Sequence, residues 1–363
     1  MLDDIIKSAR ENPNQGSTPQ SSNTEEIKPV EENDSGKVRI SVIGVGGAGC
    51  NCVARLTKSN IKSARTVAIN TDLKHLNITD AHKKILIGKT ITRGLGAGGH
   101  MDIAKRCAEN DRQMIKRELG ENELVFLAAG MGGGTGGGAA PTIAEIAKEE
   151  GAIVVAIVTY PFALERVRLK KAQEAIQNLT KIADTVVVID NNRLTAYAPN
   201  LPVNKAFELA DSIMGRAVRG ISDTIMFPSL INVDFADVKS IMQKGGLSMI
   251  SLGEGNGVNR IEDVVKDTLE HPLLDVDYEG AGGALIHLEG GPDLTLGEAI
   301  QVGEKLTGTF DESANVKVGA RVDPASREKI KVTAIITGVK SPYILKSDDT
   351  DSGHSTEESL QYL

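Results

Sequence analysis

The chain has 363 residues, 40% hydrophobic and 25% charged, with 41 basic against 49 acidic side chains and a net charge of -8. That length accommodates two folded domains plus tails and can bury a full core, so neither disulfides nor a structural metal are required. No run approaches ~20 uninterrupted apolar residues, which argues against a membrane span, and the acidic balance leaves no basic stripe for nucleic acid.

Residues 1–36 contain no aromatic side chain and are rich in Ser, Asn, Gln, Pro and Glu. Such a composition cannot offset its ordering entropy, so disorder is expected there. Leu2, Ile5, Ile6 and Ala9 can form one short amphipathic helix, either a frayed end or an anchor. The first residues carry acids where a secretory signal carries bases, which argues against secretion.

From Val38 the pattern alternates. Val38–Ile43 reads as a strand, followed by glycines and a helix from about Asn51. Thr66–Ile69 and Ile85–Ile87 read as strands, 101–119 as a helix, and Leu124–Ala129 as a strand. A second glycine cluster then leads to a helix from about Pro141. Ile153–Thr159 and Thr185–Ile189 are further strands, separated by a helix over 165–181. Strands that are apolar on both faces and separated by helices indicate a parallel sheet covered on both sides.

Residues 203–225 carry the clearest helical stripe, with Val203, Phe207, Ala210, Met214, Ala217, Ile221 and Ile225 at three- and four-residue spacing. Such a helix is roughly 35 Å long, enough to cross a domain. Beyond it, Leu247–Leu252, Ala284–Leu288, Asn315–Val318 and Lys331–Thr337 read as strands. Helices fall near 258–270 and 296–307, the latter opened by the capping box Thr295-x-x-Glu298. The fold class is α/β: a Rossmann-like parallel-sheet domain over 37–202, a central helix and connection over 203–231, and a smaller α+β domain over 232–343. Residues 344–363 read as a flexible tail.

Two glycine clusters carry the chemistry. The first, IGVGGAGCN, places Gly44, Gly46 and Gly49 at G-x-G-x-x-G spacing between a strand and a helix. Glycines let backbone approach an anion, and a helix start offers free N–H groups and a positive dipole end. The second, AAGMGGGTGGGAAP, surrounds Thr135 with seven glycines. Helix capping needs one glycine rather than seven, so two such loops can grip one polyphosphate from two sides. A third, GLGAGG over 94–99, can close over its terminal phosphate. Gly88-Lys89-Thr90 imitates the end of a P-loop, but Lys83 stands where that motif needs glycine. Neither large loop contains a basic residue. A nucleoside triphosphate carries about four negative charges against ~0.5 positive from each helix end, so a Mg2+ ion carried by the nucleotide is expected. Cys50, Cys52 and Cys107 read as reduced thiols, and the six scattered histidines offer no metal-ligand spacing.

GGAGCN, the strand-end Asn70-Thr71-Asp72, GGGTGGG and NVDFADV together resemble the FtsZ family, prokaryotic relatives of tubulin. The match runs in order from about Val38 to Val339, and LINVDFADVKSIM and HPLLDVDYEGAGGALIH look more archaeal than bacterial. The resemblance implies a fold of the tubulin type. It places the nucleotide on Gly47, Ala48, Gly49, Cys50 and Asn51, and the phosphates on Gly134, Thr135 and Gly136. Glu165 and Arg168 match the contacts to sugar and nucleotide, although Arg166 could take the place of Arg168. Asn191, Phe207 and Asp211 match the guanine pocket. Phe207 and Asp211 are four apart and share a helix face. A ring there can stack on the base while a carboxylate accepts from two guanine N–H donors that adenine lacks, which favours GTP over ATP. Read alone, Phe207 is a core residue and Asp211 an exposed helix charge.

Asn232, Asp234 and Asp237 match the family's catalytic segment, which completes the active site of the next subunit. Read alone, the two acids are a solvated turn or a helix cap. The resemblance therefore implies an assembly-dependent GTPase that binds GTP or GDP and polymerises head to tail with itself. It also implies a cytoplasmic place at the mid-cell division ring, with membrane-tethering division proteins as partners. Three departures bear on affinity and rate: Gly137 stands where Thr or Ser is usual, His100 where Asn is common, and Cys50 where a small or amide residue is. Two other readings are a non-hydrolysing tubulin-like filament protein and, from the first loop alone, an NAD-dependent Rossmann oxidoreductase.

Overall fold

A computed structural model describes residues 38–193, 203–226, 231, 233–243, 247–270, 278–324 and 326–339. The expectations for 1–36 and 344–363 fall outside these residues.

The apolar segments of the first half form β1 (Ile40–Val45), β2 (Arg65–Asn70), β3 (Lys83–Leu86), β4 (Leu124–Gly130), β5 (Ile153–Tyr160) and β6 (Thr185–Asp190). They lie parallel in the order β3-β2-β1-β4-β5-β6. Between them run α1 (Gly46–Lys58), α2 (Leu73–Ile78), α3 (Lys89–Thr92), α4 (Met101–Asn110), α5 (Arg112–Leu119), α6 (Gly134–Glu149) and α7 (Arg166–Thr180). Successive strand residues point to opposite faces. Val42, Phe126 and Val155 accordingly join one apolar layer with Val53 and Leu56 of α1. Ile43, Leu127 and Val154 join a second layer with Ile143 and Ile176 of α6 and α7. A sheet buried on both faces needs no polar alternation, which is why its strands read as continuous apolar runs.

The long helical stripe forms α8 (Val203–Met226), 24 residues and about 36 Å long. Its Met214, Ala217, Val218 and Ile221 are buried, and each large apolar side chain so covered contributes about 1.5–3 kcal/mol. The helix packs on α1 on one side. On the other it meets the sheet of the second half, where a side-chain carbon added at Gly220 would lie 2.8 Å from Thr333 Oγ1. Ser222 Oγ of α8 also shares a hydrogen bond of 2.8 Å with Ser63 Oγ, in the connection between α1 and β2.

The second half contains α9 (Phe235–Met242), β7 (Leu247–Asn256), α10 (Arg260–Leu269), β8 (Gly283–Gly290), α11 (Leu296–Thr307), β9 (Asn315–Val322) and β10 (Lys329–Thr337). β7 continues the sheet by pairing with β6 at Val186↔Leu247 and Val187↔Ser248. β10 then runs antiparallel between β7 and β8, and β9 closes the edge parallel to β8. The capping box is present: Glu298 N donates to Thr295 Oγ1 at 3.2 Å, and Thr295 N to Glu298 Oε2 at 2.9 Å. His287, one of the scattered histidines, is a core residue of β8; burial pushes its pKa down to about 4, so it stays neutral.

Three expectations need correction. The helices after the glycine clusters begin at Gly46 and Gly134, not near Asn51 and Pro141. Glycine counts against helix in any propensity sum, yet here it occupies first turns. The helix over 101–119 divides at Asp111, whose carboxylate turns to accept from Gly88 N at 2.6 Å. The short helices α2 and α3 were not expected. Of the two readings of Asp234 and Asp237 taken alone, the structure shows the helix cap, with Asp234 as the N-cap of α9.

Candidate functional site at the carboxyl edge of the sheet

From β1 the chain crosses to β2 on one side, whereas β4 lies on the other. Between β1 and β4 the winding reverses, and the loops after these strands flank a crevice at their carboxyl ends. Both glycine clusters are these loops. α1 starts at Gly46 and α6 at Gly134, and no side chain caps either helix. The first-turn N–H groups of two helices therefore point into the crevice, each with a positive dipole end.

The loops touch backbone to backbone. Gly46 has φ +72°, and a carbon added to it would lie 2.8 Å from Gly136 N. One added to Gly130 would lie 2.8 Å from Ala48 Cβ. The third loop closes on the same point, since a carbon added to Gly134 would meet Gly99 N and His100 N at 3.0 Å. That loop is tied to the end of β2 by Gly96 N donating to Thr71 O at 3.1 Å and Leu73 N to Gly94 O at 2.9 Å. Lys171 Nζ donates to Gly99 O at 2.7 Å. Thr71 Oγ1 and Thr135 Oγ1, 2.7 Å apart, join β2 to the second cluster. Sequence reasoning gave Thr71 no role beyond its place in the Asn70-Thr71-Asp72 motif, and it missed Lys171.

The candidate residues divide by what they present. Gly47 is exposed with nothing around a carbon added to it, and Ala48 is partly exposed. Gly49 is a packing residue, because a carbon there would lie 2.3 Å from Ala128 O. Cys50 turns its Sγ into the core, 3.9 Å from Gly44 O and 3.8 Å from Ile69 O. Burial pushes its thiol up to about 12, so it is neutral and unreactive at neutral pH. Asn51 is exposed on α1. Gly137 faces away from the crevice: a carbon there would meet Met101 Sδ at 2.7 Å. A hydroxyl missing from that position is thus missing from the α4–α6 contact.

Glu165 and Arg168 stand at the start of α7 and pair with each other. The backbone of Arg168 backs the second loop, since a carbon on Gly132 would lie 2.7 Å from Arg168 O. Arg166 is exposed beside them. Asn191 follows β6, is 7% exposed, and its Oδ1 has no hydrogen-bond partner among the described residues. A buried amide oxygen without a donor costs roughly 1–3 kcal/mol, which a bound ligand carrying an N–H would remove. Phe207 and Asp211 fall within the range of α8, but their side chains lie outside the described residues, as does Asn232.

The two acids lie at the other edge of the sheet. Asp234 caps α9, its Oδ1 accepting from Asp237 N at 2.7 Å. The ammonium of Lys317, 2.7 Å from Asp237 Oδ1, holds that carboxyl below the usual range. Phe235 and Lys239 of α9 line a groove of about 440 Å³ with Arg39, Glu123, Gly151 and Ile153, which stand at the amino ends of β1, β4 and β5. β4 and β5 are seven and eight residues long, about 23–26 Å at ~3.3 Å per residue. One chain therefore cannot bring its own acids to its own glycine loops.

The crevice offers two uncapped helix starts and glycines that admit the close approach of an anion, and Asn191 at the end of β6 carries an orphaned amide oxygen. Among the described residues no three carboxylates, histidines or cysteines gather as a metal cage.

Known proteins match this chain along most of its length. The GTPase domain of the Tubulin/FtsZ family matches residues 39–199, and the FtsZ C-terminal domain matches 246–340. Cell division protein FtsZ 2 of Methanocaldococcus jannaschii is 54% identical over 320 residues, 87% of this chain and 84% of that protein. Cell division protein FtsZ 2 of Haloferax volcanii is 46% identical over 362 residues, 99% of this chain and 89% of that one. The solved empty FtsZ dimer of M. jannaschii superposes with a TM-score of 0.79 at 46% identity, covering 83% of this chain and 88% of its own. The extent of these matches, across both halves of the sheet and both glycine loops, leads to one conclusion: this chain is a member of the FtsZ branch of the tubulin/FtsZ family of GTPases.

Proposed function

We propose that this GTPase builds cell-division filaments by head-to-tail assembly, and that each GTP is hydrolysed between two copies. The observation that carries this reading is the separation of glycine loops and acids at opposite edges of one sheet. A contact between unlike faces does not close, so it propagates a filament. The names of the relatives, cell division proteins and a dimer, support the same reading.

In this account the backbone of Gly47, Ala48 and Gly49, at the start of the helix that carries Cys50 and Asn51, lies along the nucleotide. Gly134, Thr135 and Gly136 hold its phosphates. Asn191, Phe207 and Asp211 read the guanine, while Glu165 and Arg168 contact the sugar side. A Mg2+ ion bound with the nucleotide would offset the phosphate charge that two helix ends leave over. Asp234 and Asp237 of the adjoining copy, with Asn232, orient the attacking water; one of the two carboxylates accepts its proton as its oxygen adds to the terminal phosphorus and the bond from that phosphorus to the bridging oxygen breaks. The products are GDP and phosphate. Losing that phosphate weakens the contact, and the polymer turns over. We place the protein in the cytoplasm at the mid-cell ring, tethered by membrane-bound division proteins. A chain division at 37–202, 203–231 and 232–343 follows from the same reading. A non-hydrolysing filament, the reading that Gly137 and His100 leave open, is disfavoured by the match to the GTPase domain of the family. A Rossmann oxidoreductase leaves the second glycine loop without a role.

Sedimentation with GTP, GDP and ATP in parallel tests the pocket. Polymer is expected with GTP, less with GDP and none with ATP. Equal polymer with ATP would contradict the guanine assignment.

A further inference from the structure

The acids of α9 do not stand freely. β9 is the outer strand of the sheet, and its Asn315 and Lys317, two apart, share one face. Asn315 Nδ2 donates to Ser240 Oγ at 3.0 Å, and Ser240 Oγ donates to Asp237 O at 2.8 Å. Lys317 Nζ lies 2.7 Å from Asp237 Oδ1. Asp237 N in turn donates to Asp234 Oδ1 at 2.7 Å. One continuous line of contacts therefore runs from β9 through Asp237 to Asp234.

We propose that Lys317 is the positioning residue of the acid pair: it fixes the Asp237 carboxylate in one orientation and offsets its charge where that face meets the neighbouring copy's triphosphate. The inference rests on the reading of Asp234 and Asp237 as acids acting on the adjoining chain. Two carboxylates approaching a polyanion repel it unless a cation accompanies them. No other ion pair to either acid is found among the described residues. The lysine also suits a role in chemistry better than one in folding. Its side chain is 38% exposed and that of Asp237 28%, and exposed pairs contribute little to stability. A free Asp237 would sample several rotamers, and misplacement of a reacting group by about 1 Å can cost on the order of 100-fold.

The test compares Lys317→Met, which keeps the length without the charge, with Lys317→Arg in the full chain. Three quantities are read: GTP binding by the unassembled protein, sedimentable polymer, and phosphate release per sedimented subunit. Lys317→Met is expected to bind GTP and assemble as the unaltered chain does, while its release per sedimented subunit falls ~10- to 100-fold. Lys317→Arg restores release to within about threefold, because a guanidinium can hold the same oxygen. Release at the unaltered rate in Lys317→Met, or no recovery in Lys317→Arg, overturns the proposal. Should Lys317→Met fail to sediment alone, it is copolymerised in equal amounts with the unaltered chain. A fall in release to about half then supports the proposal, since each altered face silences one neighbouring pocket; an unchanged value overturns it. Asp237→Ala is measured beside these. Full release in that variant means that the shared-site reading has failed. Silence in Asp237→Ala with full release in Lys317→Met means that only the role of Lys317 has failed.

Discussion

Replacing Asp234 with alanine is expected to abolish GTP turnover, by at least ~100-fold if the carboxylate orients or deprotonates the water, while GTP binding by the single chain stays unchanged. Binding persists because the glycine loops lie a full strand length from α9. Asp234 has a second role, however, since its Oδ1 caps α9. Alanine removes that cap as well and costs about 1 kcal/mol of helix stability. Asp234→Asn separates the two effects. Asparagine caps as well as aspartate, but a neutral amide cannot take a proton. Turnover lost equally in both variants identifies the charge as the cause. Turnover kept in Asp234→Asn would assign the alanine effect to the cap, and loss of GTP binding in either variant would contradict a site shared between copies.

The second large effect is expected at Gly136. A carbon added there would lie 2.4 Å from Gly130 O, and the neighbouring atoms Gly130 C and N, at 3.3 Å, leave no room to yield. Everything it meets is backbone of the strand that carries the loop. Overpacking of this kind costs about 1–3 kcal/mol, and the loop can only relieve it by moving its N–H groups off the phosphates. Gly136→Ala is thus expected to weaken GTP binding about 30-fold, the equivalent of about 2 kcal/mol. Gly137→Ala, one residue along, is the control. Its carbon would meet Met101 Sδ, in a side chain with three rotatable bonds, so binding should change by less than about threefold. Calorimetric titration with GTP reads both. Equal losses at the two positions would mean that the loop responds to glycine content rather than to the contact at Gly130.

Much of this fold is written in local pattern. The strands β1, β4 and β5 are continuous apolar runs because the sheet is covered on both faces, and α8 announces itself by its three- and four-residue spacing. The capping box of α11 is visible as Thr295 and Glu298 alone. What escapes the sequence is of two kinds. Helix starts made of glycine are hidden, since propensity penalises the residue that close backbone approach requires at Gly46 and Gly136. Contacts between distant segments are hidden as well. Nothing local to Gly137 says that it faces Met101, nor does anything near Cys50 say that its thiol turns toward Ile69 O. Asp237 and Lys317 are separated by most of the second half of the chain and meet only because β9 closes the sheet beside α9. The composition of the glycine loops points to an anion site, but their meeting point is set by β1 and β4 standing side by side. The proposed pairing of one chain's pocket with another chain's acids is implied by the family resemblance and is not local to any segment.

The most direct test of that pairing is phosphate release per chain, measured across protein concentrations that span the first appearance of sedimentable polymer. Release close to zero below that threshold, rising steeply above it, is the predicted result. A dilute protein that remains a single chain in sedimentation and still hydrolyses GTP at the polymer's rate would contradict it.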